Sequence, residues 1–238
     1  MRLSKGWLAT IIVLAVIVID QVIKIWVKTS FYLGEDYTIT SWFHLRFIEN
    51  PGMAFGMEFG SKLFLTLFRL VAVALLIWYM IRLVRGGVGN DRKDSQHGVV
   101  PLGYLVCIAL ITAGAAGNIV DCLFYGEIFN NPMPPQVAQF VPWGDGYAGL
   151  LHGKVVDMFY FPLFSFDWPQ WIPFIGGHHF SFFDPVFNFA DAAISVGVVA
   201  LITCYYRTLS RQLESSKTTD TPSDKQKDTP SKPGKSQN

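Results

Sequence analysis

Two aspartates lie in apolar stretches where a carboxylate is costly to place. Asp157 follows two valines, and Asp191 lies one turn inside the last strongly apolar run of the chain. A carboxylate on a membrane-spanning helix costs roughly 2.5–3.5 kcal/mol even on a lenient insertion scale, so function is the first hypothesis for such a residue. Two carboxylates that meet at one surface can share a proton and act as acid and base. The pair therefore predicts acid–base chemistry, provided that the fold brings the two side chains together.

Four apolar runs are long enough to position such residues in a bilayer. The chain has 238 residues, 51% hydrophobic and 16% charged, with a mean hydropathy of +0.33. A helix needs about 20 residues to cross the ~30 Å hydrocarbon core. The sequence predicts an all-α membrane protein with four transmembrane helices, at about residues 7–27, 63–84, 99–120 and 185–206. The small residues of 113–117 would let a neighbouring helix, most simply one of these four, approach the third span closely.

The distribution of basic residues predicts the orientation of the spans. Arginine and lysine residues precede the first span, separate the second from the third and follow the fourth, whereas Lys154 is the one basic residue of 127–184. Since positive loops stay in the cytoplasm, we expect both termini inside and the loops 28–62 and 123–184 outside. Residues 31–48 are rich in β-branched and aromatic side chains, which predicts a small outward-facing β segment. The first span lacks a cleavage site of small residues, so we expect an uncleaved anchor.

Other segments suggest structural roles. Residues 209–238 contain no aromatic residue and many polar ones, so we expect a membrane domain over 1–208 followed by a disordered cytoplasmic tail. The three cysteines are spaced for neither a metal site nor a disulfide framework, which favours packing roles. The adjacent His178 and His179 have no ligand partner at a suitable spacing, and we expect no metal and no other cofactor.

Three of the spans carry a polar pair at a common depth. Residues three or four positions apart share a helix face, and any single pair would most simply form a structural hydrogen bond between helices. Their shared level near the outer ends of the spans instead predicts one polar site. An Asn-Pro-Gly turn at residues 50–52 lies on the same side, although alone it would be an ordinary turn. The pairs are Asp20 with Lys24, Asn118 with Asp121, and Asn188 with Asp191.

Five short motifs occur in a fixed order along the chain. They are Asp20-x-x-x-Lys24, Asn50-x-Gly52-x-Ala54-Phe55-Gly56, Gly117-Asn118-x-x-Asp121, Val155-Val156-Asp157 and Phe187-Asn188-x-Ala190-Asp191. Each motif is weak alone, but five in this order with four spans form a specific pattern that covers residues 7–208. In order and spacing, the motifs resemble those of the lipoprotein signal peptidases, also called signal peptidase II.

The resemblance implies an intramembrane aspartyl endopeptidase of the bacterial inner membrane, with its active site at the periplasmic face. Such an enzyme removes the signal peptide of a prolipoprotein immediately before a cysteine that carries diacylglycerol. The expected partners are these prolipoproteins, membrane lipids and globomycin-type inhibitors, with no nucleic acid, and we expect a monomer because one chain supplies both aspartates. By resemblance Asp157 and Asp191 are catalytic, and the residues that shape the site are Asp20, Lys24, Asn50, Gly52, Asn118, Asp121 and Asn188.

The surroundings of the two aspartates predict different roles within the pair. Asp191 lies in the first turns of the fourth span, where the positive end of the helix favours the ionised carboxylate. Asp157 is surrounded in sequence by valine, methionine, phenylalanine and tyrosine, which favours the protonated form.

Two features depart from the family pattern. Cys122 stands where the family usually has an arginine. We expect an open interface there that would tolerate arginine, the alternative being a residue packed under the loop. The outer loop 122–183 is enlarged and could be a lid, a rest for substrate, or padding.

Two other classes of protein remain possible on the residues alone. An ion-coupled transporter would use buried carboxylates to relay protons, but such folds usually show internal repeats and broken helices. A non-catalytic lipoprotein-binding membrane protein would need the same cleft but not both aspartates.

Overall fold

Four long helices form the frame of the molecule. The computed structural model describes residues 4–51, 62–86, 88–89, 99–182 and 184–219. Within them, helices long and apolar enough to cross a membrane begin at each of the four predicted spans. The helices are α1 (Lys5–Ser30), α2 (Lys62–Gly86), α3 (Leu102–Ile128) and α4 (Phe189–Thr219), of which Phe189–Gln212 has the composition of a span.

Two helix ends differ from the sequence-based expectation. Helix α3 continues to Ile128, so that Cys122, which we expected at the start of the outer loop, lies on the helix together with Asp121. Helix α4 begins at Phe189 instead of residue 185, because Asn188 caps it, and runs to Thr219. The assigned helix thus includes residues 209–219, the first part of the tail that we expected to be disordered, and its backbone angles are non-helical at Tyr205. Residues 220–238 lie outside the described residues.

Helix α3 is the centre of the bundle, with α1, α2 and α4 packed around it. Small residues allow the closest approach, as the sequence predicted for 113–117. A Cβ added to Gly114 would lie 2.2 Å from the carbonyl oxygen of Ala190 on α4. Apolar side chains of α1, α2 and α4 point away from the bundle, toward the surface that lipid would cover. They include Leu14, Val18, Val22, Phe64, Phe68, Val71, Leu75, Val196, Val199 and Ile202.

A three-stranded antiparallel sheet lies at one end of the bundle. Strand β1 (Asp36–Thr40) pairs with β2 (Phe43–Asn50), which confirms strands in the segment where the sequence predicted them. Two further strands of two residues each, β3 (Val88–Gly89) and β4 (Val100–Pro101), pair in parallel. Strand β5 (Val155–Tyr160) adds to β2 and opposes Asp157 to Ile48. The sequence analysis missed β5, because its run of buried residues is short and does not alternate.

The enlarged loop before and after β5 has two parts. Residues 129–154 pack against the end of α3, where backbone N–H groups of Gly153 and Ala148 donate to the carbonyls of Cys122 and Gly126, at 2.9 and 3.0 Å. Beyond β5, strands β6 (Phe164–Asp167) and β7 (His179–Phe182) form a separate antiparallel hairpin. The first part completes the end of α3 by donating backbone N–H groups to carbonyls of its last turns.

Apolar clusters lie above and below a polar layer. Along α1, Ala9 and Val16 belong to two apolar clusters, Asp20 and Lys24 follow, and Val27 belongs to a third. The order on α3 is the same, from Leu105 and Ala113 through Asn118 to Tyr125. The polar residues of the two helices therefore share one level, as predicted from their depth in the sequence.

Candidate active site

The first turn of α4 is built by two of the predicted site residues. The Asn188 side chain accepts a hydrogen bond from the backbone N–H of Asp191 at 2.9 Å, and Asp191 accepts one from the N–H of Asn188 at 3.3 Å. This reciprocal arrangement is a capping box, in which the residue before the helix and the third residue inside it satisfy each other's backbone donors. The spacing of Asn188 and Asp191 thus serves the helix start as well as the site.

Two asparagines connect the two aspartates. Asn188 donates its side-chain amide to Asp157 at 2.6 Å and to the carbonyl oxygen of Asn118 at 3.2 Å. Asn118 in turn donates its own amide to Asp191 at 2.8 Å. The structure therefore brings Asp157 of β5 and Asp191 of α4 into one hydrogen-bonded chain through α3.

Lys24 holds Asn118, the middle residue of this series of hydrogen bonds, in place. Its ammonium group lies 2.9 Å from carboxylate oxygens of both Asp20 and Asp121, and it donates to Asn118 at 2.8 Å. All three side chains of the ion cluster are fully buried. Three acceptors use the three donor positions of the ammonium group, so Lys24 fixes the Asn118 carbonyl and leaves its amide to face Asp191.

The two carboxylates paired with Lys24 also hold backbone segments. Asp20 accepts from the N–H of Ala190 at 2.9 Å, which attaches the start of α4 to α1. Asp121 accepts from the N–H of Val156 at 3.2 Å, next to Asp157. A Cβ at Gly117 would lie 2.8 Å from the Asp20 carboxylate, so a glycine is needed for this approach.

Asp157 is a buried carboxylate with an altered affinity for protons. Only 4% of the residue is exposed, and it receives hydrogen bonds from Asn188 and Asn50. Burial, and then the neighbouring charge of Asp191, raise the pKa of Asp157 to about 7, against the opposing effect of the two asparagines. Asp157 therefore holds a proton over a wider pH range than an ordinary aspartate.

The structure brings eight of the nine predicted site residues into this region. Asn50 ends β2 opposite Val155 and reaches Asp157, while the other seven take part in the network above. Gly52, together with Ala54, Phe55 and Gly56 of the same motif, lies outside the described residues. Among the residues described, no three histidine, cysteine, aspartate or glutamate side chains cluster in a way that could hold a metal ion.

A second ion cluster was missed by the sequence analysis. Glu49 on β2 pairs with Lys28 of α1 and with Lys154, the latter at 2.9 Å. The Lys28 ammonium also lies 5.2 Å from the ring centroids of both Phe129 and Tyr147. Burial would raise the pKa of Glu49, but the charges and hydrogen bonds of the two lysines outweigh it and keep that pKa below its usual value.

Two signals in the sequence could have revealed additional residues. Lys28 follows Lys24 by four positions, as Lys24 follows Asp20, so all three lie on one face of α1. Gln21 stands beside Asp20 and donates to Asp121 at 2.8 Å while accepting from the Tyr125 hydroxyl at 3.1 Å. For Tyr125, which lies one turn after Asp121, the same spacing rule would have sufficed.

The expectation of an open interface at Cys122 was wrong. Cys122 is 2% exposed, because the segment 129–154 covers the end of α3. The guanidinium of Arg69 on α2 approaches its sulfur at 3.5 Å. A cation therefore lies near this position, but it comes from helix α2. Cys122 is packed under the outer loop, which was the alternative expectation.

Comparisons with known proteins place the chain in one family. The family model of signal peptidase (SPase) II matches residues 12–207. A lipoprotein signal peptidase of Porphyromonas gingivalis is 49% identical over 217 residues, which cover 91% of this chain and 91% of the relative. That of Amoebophilus asiaticus is 36% identical over 205 residues, covering 84% of this chain and 78% of the relative.

The fold also has a solved counterpart. A bacterial membrane enzyme determined by the in meso method at 2.3 Å resolution superposes with a TM-score of 0.51. The two chains are 21% identical, and the match covers 92% of this chain and 93% of the other. At that identity the likeness concerns the fold alone.

Proposed function

The chain belongs to the signal peptidase II family, a family of proteases that process lipoproteins, and we propose that Asp157 and Asp191 are its catalytic acid and base. The function is removal of the signal peptide from prolipoproteins. The observation that carries the proposal is the chain of amides from Asp157 through Asn188 and Asn118 to Asp191. This chain of amides supports a mechanism in which the two carboxylates face one reacting group and share one proton.

The surroundings of the two aspartates support a division of labour. Asp157 keeps its proton because its pKa is raised, and a protonated carboxyl can donate to the carbonyl of a scissile peptide. Asp191 receives the Asn118 amide and the Asn188 N–H at the positive end of α4, which compensate a negative charge. In the proposed reaction, Asp191 takes a proton from water, the resulting hydroxide attacks the carbonyl carbon, and the leaving nitrogen receives a proton from the pair.

The substrate follows from the depth of the site. We propose that the scissile bond precedes a diacylglyceryl cysteine, since a pair near the membrane surface can meet that bond while the acyl chains stay in the bilayer. The charge pattern supports both termini in the cytoplasm and the site at the periplasmic face of the bacterial inner membrane. One chain supplies both aspartates, which supports an active monomer, and globomycin-type cyclic peptides would compete for the same site.

The test is cleavage of a diacylglyceryl prolipoprotein by the purified protein, followed by a gel shift. Asp157→Asn and Asp191→Asn should each reduce turnover more than a hundredfold, because either change removes the shared proton but keeps the shape; a contribution of about 10²–10⁴ is typical of general acid–base catalysis. Asp145→Asn, an exposed carboxylate of the outer loop, is the matched control and should retain full activity.

Other outcomes would point to a different protein. Turnover above a hundredth of the wild-type rate in either dyad variant would remove these aspartates from the catalytic role. Binding of the prolipoprotein without cleavage by the wild-type protein would favour a non-catalytic lipoprotein-binding protein. An ion-coupled transporter would neither cleave the substrate nor respond to its lipid. Equal cleavage of an unlipidated prolipoprotein would contradict the proposed requirement for the diacylglyceryl group.

A further inference from the structure

The hairpin between the two aspartates has an aromatic face. Strands β6 and β7 pair Phe164 with Phe182 and Phe166 with Phe180, so that strand alternation brings the four rings to one side. The Phe164 and Phe182 rings stack with centroids 4.8 Å apart, and those of Phe166 and Phe180 lie 5.2 Å apart. We call these four residues the aromatic ribbon.

The aromatic ribbon is not covered by the rest of the described chain. Between 36% and 52% of each of the four phenylalanines is exposed. The turn that joins the strands exposes Trp171 and Phe174 even more, at 81% and 100%. A two-stranded hairpin is marginally stable in water unless one face packs against something. A contiguous apolar surface of this kind marks a site of contact with a protein or a membrane.

The charge of the segment favours a membrane. Between Phe159 and Phe182 the sequence contains no lysine, arginine or glutamate, and Asp167 is its single carboxylate. Apart from this carboxylate and the two histidines His178 and His179, the segment offers a charged partner no side chain that is charged near neutral pH. Phenylalanine and tryptophan, by contrast, suit the boundary between headgroups and acyl chains. Pairing between the two strands satisfies only their inward-facing backbone groups, and the outer edges stay open. Because open edges are excluded from the hydrocarbon, such a hairpin can lie at the headgroup boundary but cannot cross the bilayer.

Aromatic contacts connect the segment that carries the ribbon to the first sheet and to the start of α4. Its base is fixed between β5 and α4, where Phe159 pairs with Phe187 and the rings of Phe161 and Phe187 stack at 5.6 Å. Phe161 also stacks on Phe43, at 4.8 Å, and on the half-exposed Trp42 of the first sheet. A band of stacked aromatic residues, of which Trp42 is exposed and the others are partly buried, thus leads from the sheet to the start of a spanning helix.

We propose that the aromatic ribbon docks on the bilayer that the chain's own helices cross, with its phenylalanine rings among the acyl chains nearest the headgroups. The ribbon joins the strand of Asp157 to the helix of Asp191, so docking fixes the connection between them at the level of the membrane surface. The occupant is bilayer lipid, and binding does not depend on catalysis.

The experiment measures the depth of the ribbon in lipid nanodiscs. Spin labels are attached at Phe166→Cys and, separately, at Phe182→Cys in a Cys204→Ser background, since Cys107 and Cys122 are buried. Ser165→Cys is the matched control, because strand alternation places this neighbouring position on the other face. Collision with oxygen, which concentrates in lipid, is compared with collision with a water-soluble nickel chelate, and circular dichroism selects variants that fold.

The proposal expects positions 166 and 182 to favour oxygen over nickel severalfold more than position 165 does, with and without substrate. Equal access of nickel to all three positions would overturn it, because the ribbon would then lie in water. Low access of both reagents would show a protein contact instead, such as a second copy of the chain. The nickel chelate could also be excluded only when a diacylglyceryl prolipoprotein is bound to the Asp157→Asn variant. That result would overturn the proposal, because the ribbon would then contact the acyl chains of the substrate and not the bilayer. All readings are independent of cleavage, so failure of the proposed catalytic roles would leave them unaffected.

Discussion

Two buried ion clusters lie one helical turn apart on α1 and have opposite compositions. In the inner cluster one lysine, Lys24, stands between the carboxylates of Asp20 and Asp121. In the outer cluster one carboxylate, Glu49, stands between two lysines, Lys28 and Lys154. The formal charge is −1 for the inner cluster and +1 for the outer cluster, so the net charges of the two clusters cancel.

The clusters differ in what they hold. The inner cluster joins three helices and one strand, and none of its side chains is exposed. The outer cluster attaches the sheet to α1, and its Lys154 is 30% exposed. Among the described residues, Lys24 is the one cation in ion-pair contact with Asp20 and Asp121, whereas Glu49 keeps one lysine if the other is lost. The comparison teaches that loss of the inner lysine should be the more damaging.

The largest expected effect is that of Lys24→Met. The variant leaves two buried carboxylates without their cation, and breaking a buried pair in this way costs roughly 3–5 kcal/mol. We expect a large loss of thermal stability in detergent and no cleavage. Lys28→Met is the matched control, since Lys28 is almost as buried but Glu49 retains Lys154. Equal losses in the two variants would contradict the distinction between the clusters.

A cation added beside the inner cluster tests whether its net charge or its packing matters. Cys122→Arg places a positive charge next to Asp121 in sequence, but the side chain would be buried near Arg69. We expect destabilisation by several kcal/mol, the typical penalty for a buried unpaired ion, measured as melting temperature against Cys122→Ser. An unchanged melting temperature of Cys122→Arg would mean that the excess negative charge attracts the new cation.

The outer cluster should respond more weakly to Glu49→Gln. The change removes the anion paired with the buried Lys28 but keeps its aromatic neighbours, so we expect a loss at or below the roughly 3–5 kcal/mol of a broken buried ion pair. Lys154→Met, which removes the half-buried lysine, should cost less. The prediction is checked by denaturant unfolding in detergent, and it would be contradicted if Lys154→Met were the more damaging change.

The effects of pH on stability have opposite signs for Asp157 and Glu49, two acids outside the spans. The pKa of Asp157 is raised from 3.8 to about 7, so the stability that this residue contributes is present below 3.8 and is lost as the pH rises through about 7. The pKa of Glu49 is lowered from 4.5, so its contribution is present above 4.5 and is lost as the pH falls through its folded-state pKa.

These signs can be measured by comparing each acid with its amide variant over a range of pH. Relative to wild type, Asp157→Asn should gain stability between about pH 4 and 7, and Glu49→Gln should approach the wild type below pH 4.5. Cleavage should decline above about pH 7 as Asp157 loses its proton. Parallel stability curves for both variants would show that the environments of the two acids do not differ in this way.

The sequence predicted the helices and the polar level well, because both depend on local patterns. Hydropathy located the four spans, and residue spacing placed Asp20 and Lys24, as well as Asn118 and Asp121, on common faces at one depth. The contacts between these faces could not be predicted from the residues alone. That Asn188 reaches both Asp157 and Asn118 depends on where α4 begins, which its cap decides.

Other features depended on contacts between distant segments. Strand β5 forms because β2 offers an edge, a partner more than a hundred residues earlier in the chain. Cys122 is buried because residues 129–154 fold back on α3, and the enlarged loop gave no signal for that path. Arg69 reaches Cys122 from another helix, so no spacing rule within α3 could reveal it.

The four-residue spacing of Asp20 and Lys24 has a consequence for biosynthesis. The backbone partner of Asp20 on α4 follows 170 residues later, and Asp121 is also synthesised long after α1. During that interval Asp20 and Lys24 have each other, since both lie on one face of the same helix and pair at 2.9 Å. The first span can therefore enter the membrane with its two charges paired to each other. The remaining contacts of Asp20 and Lys24 form only after the later helices have been inserted.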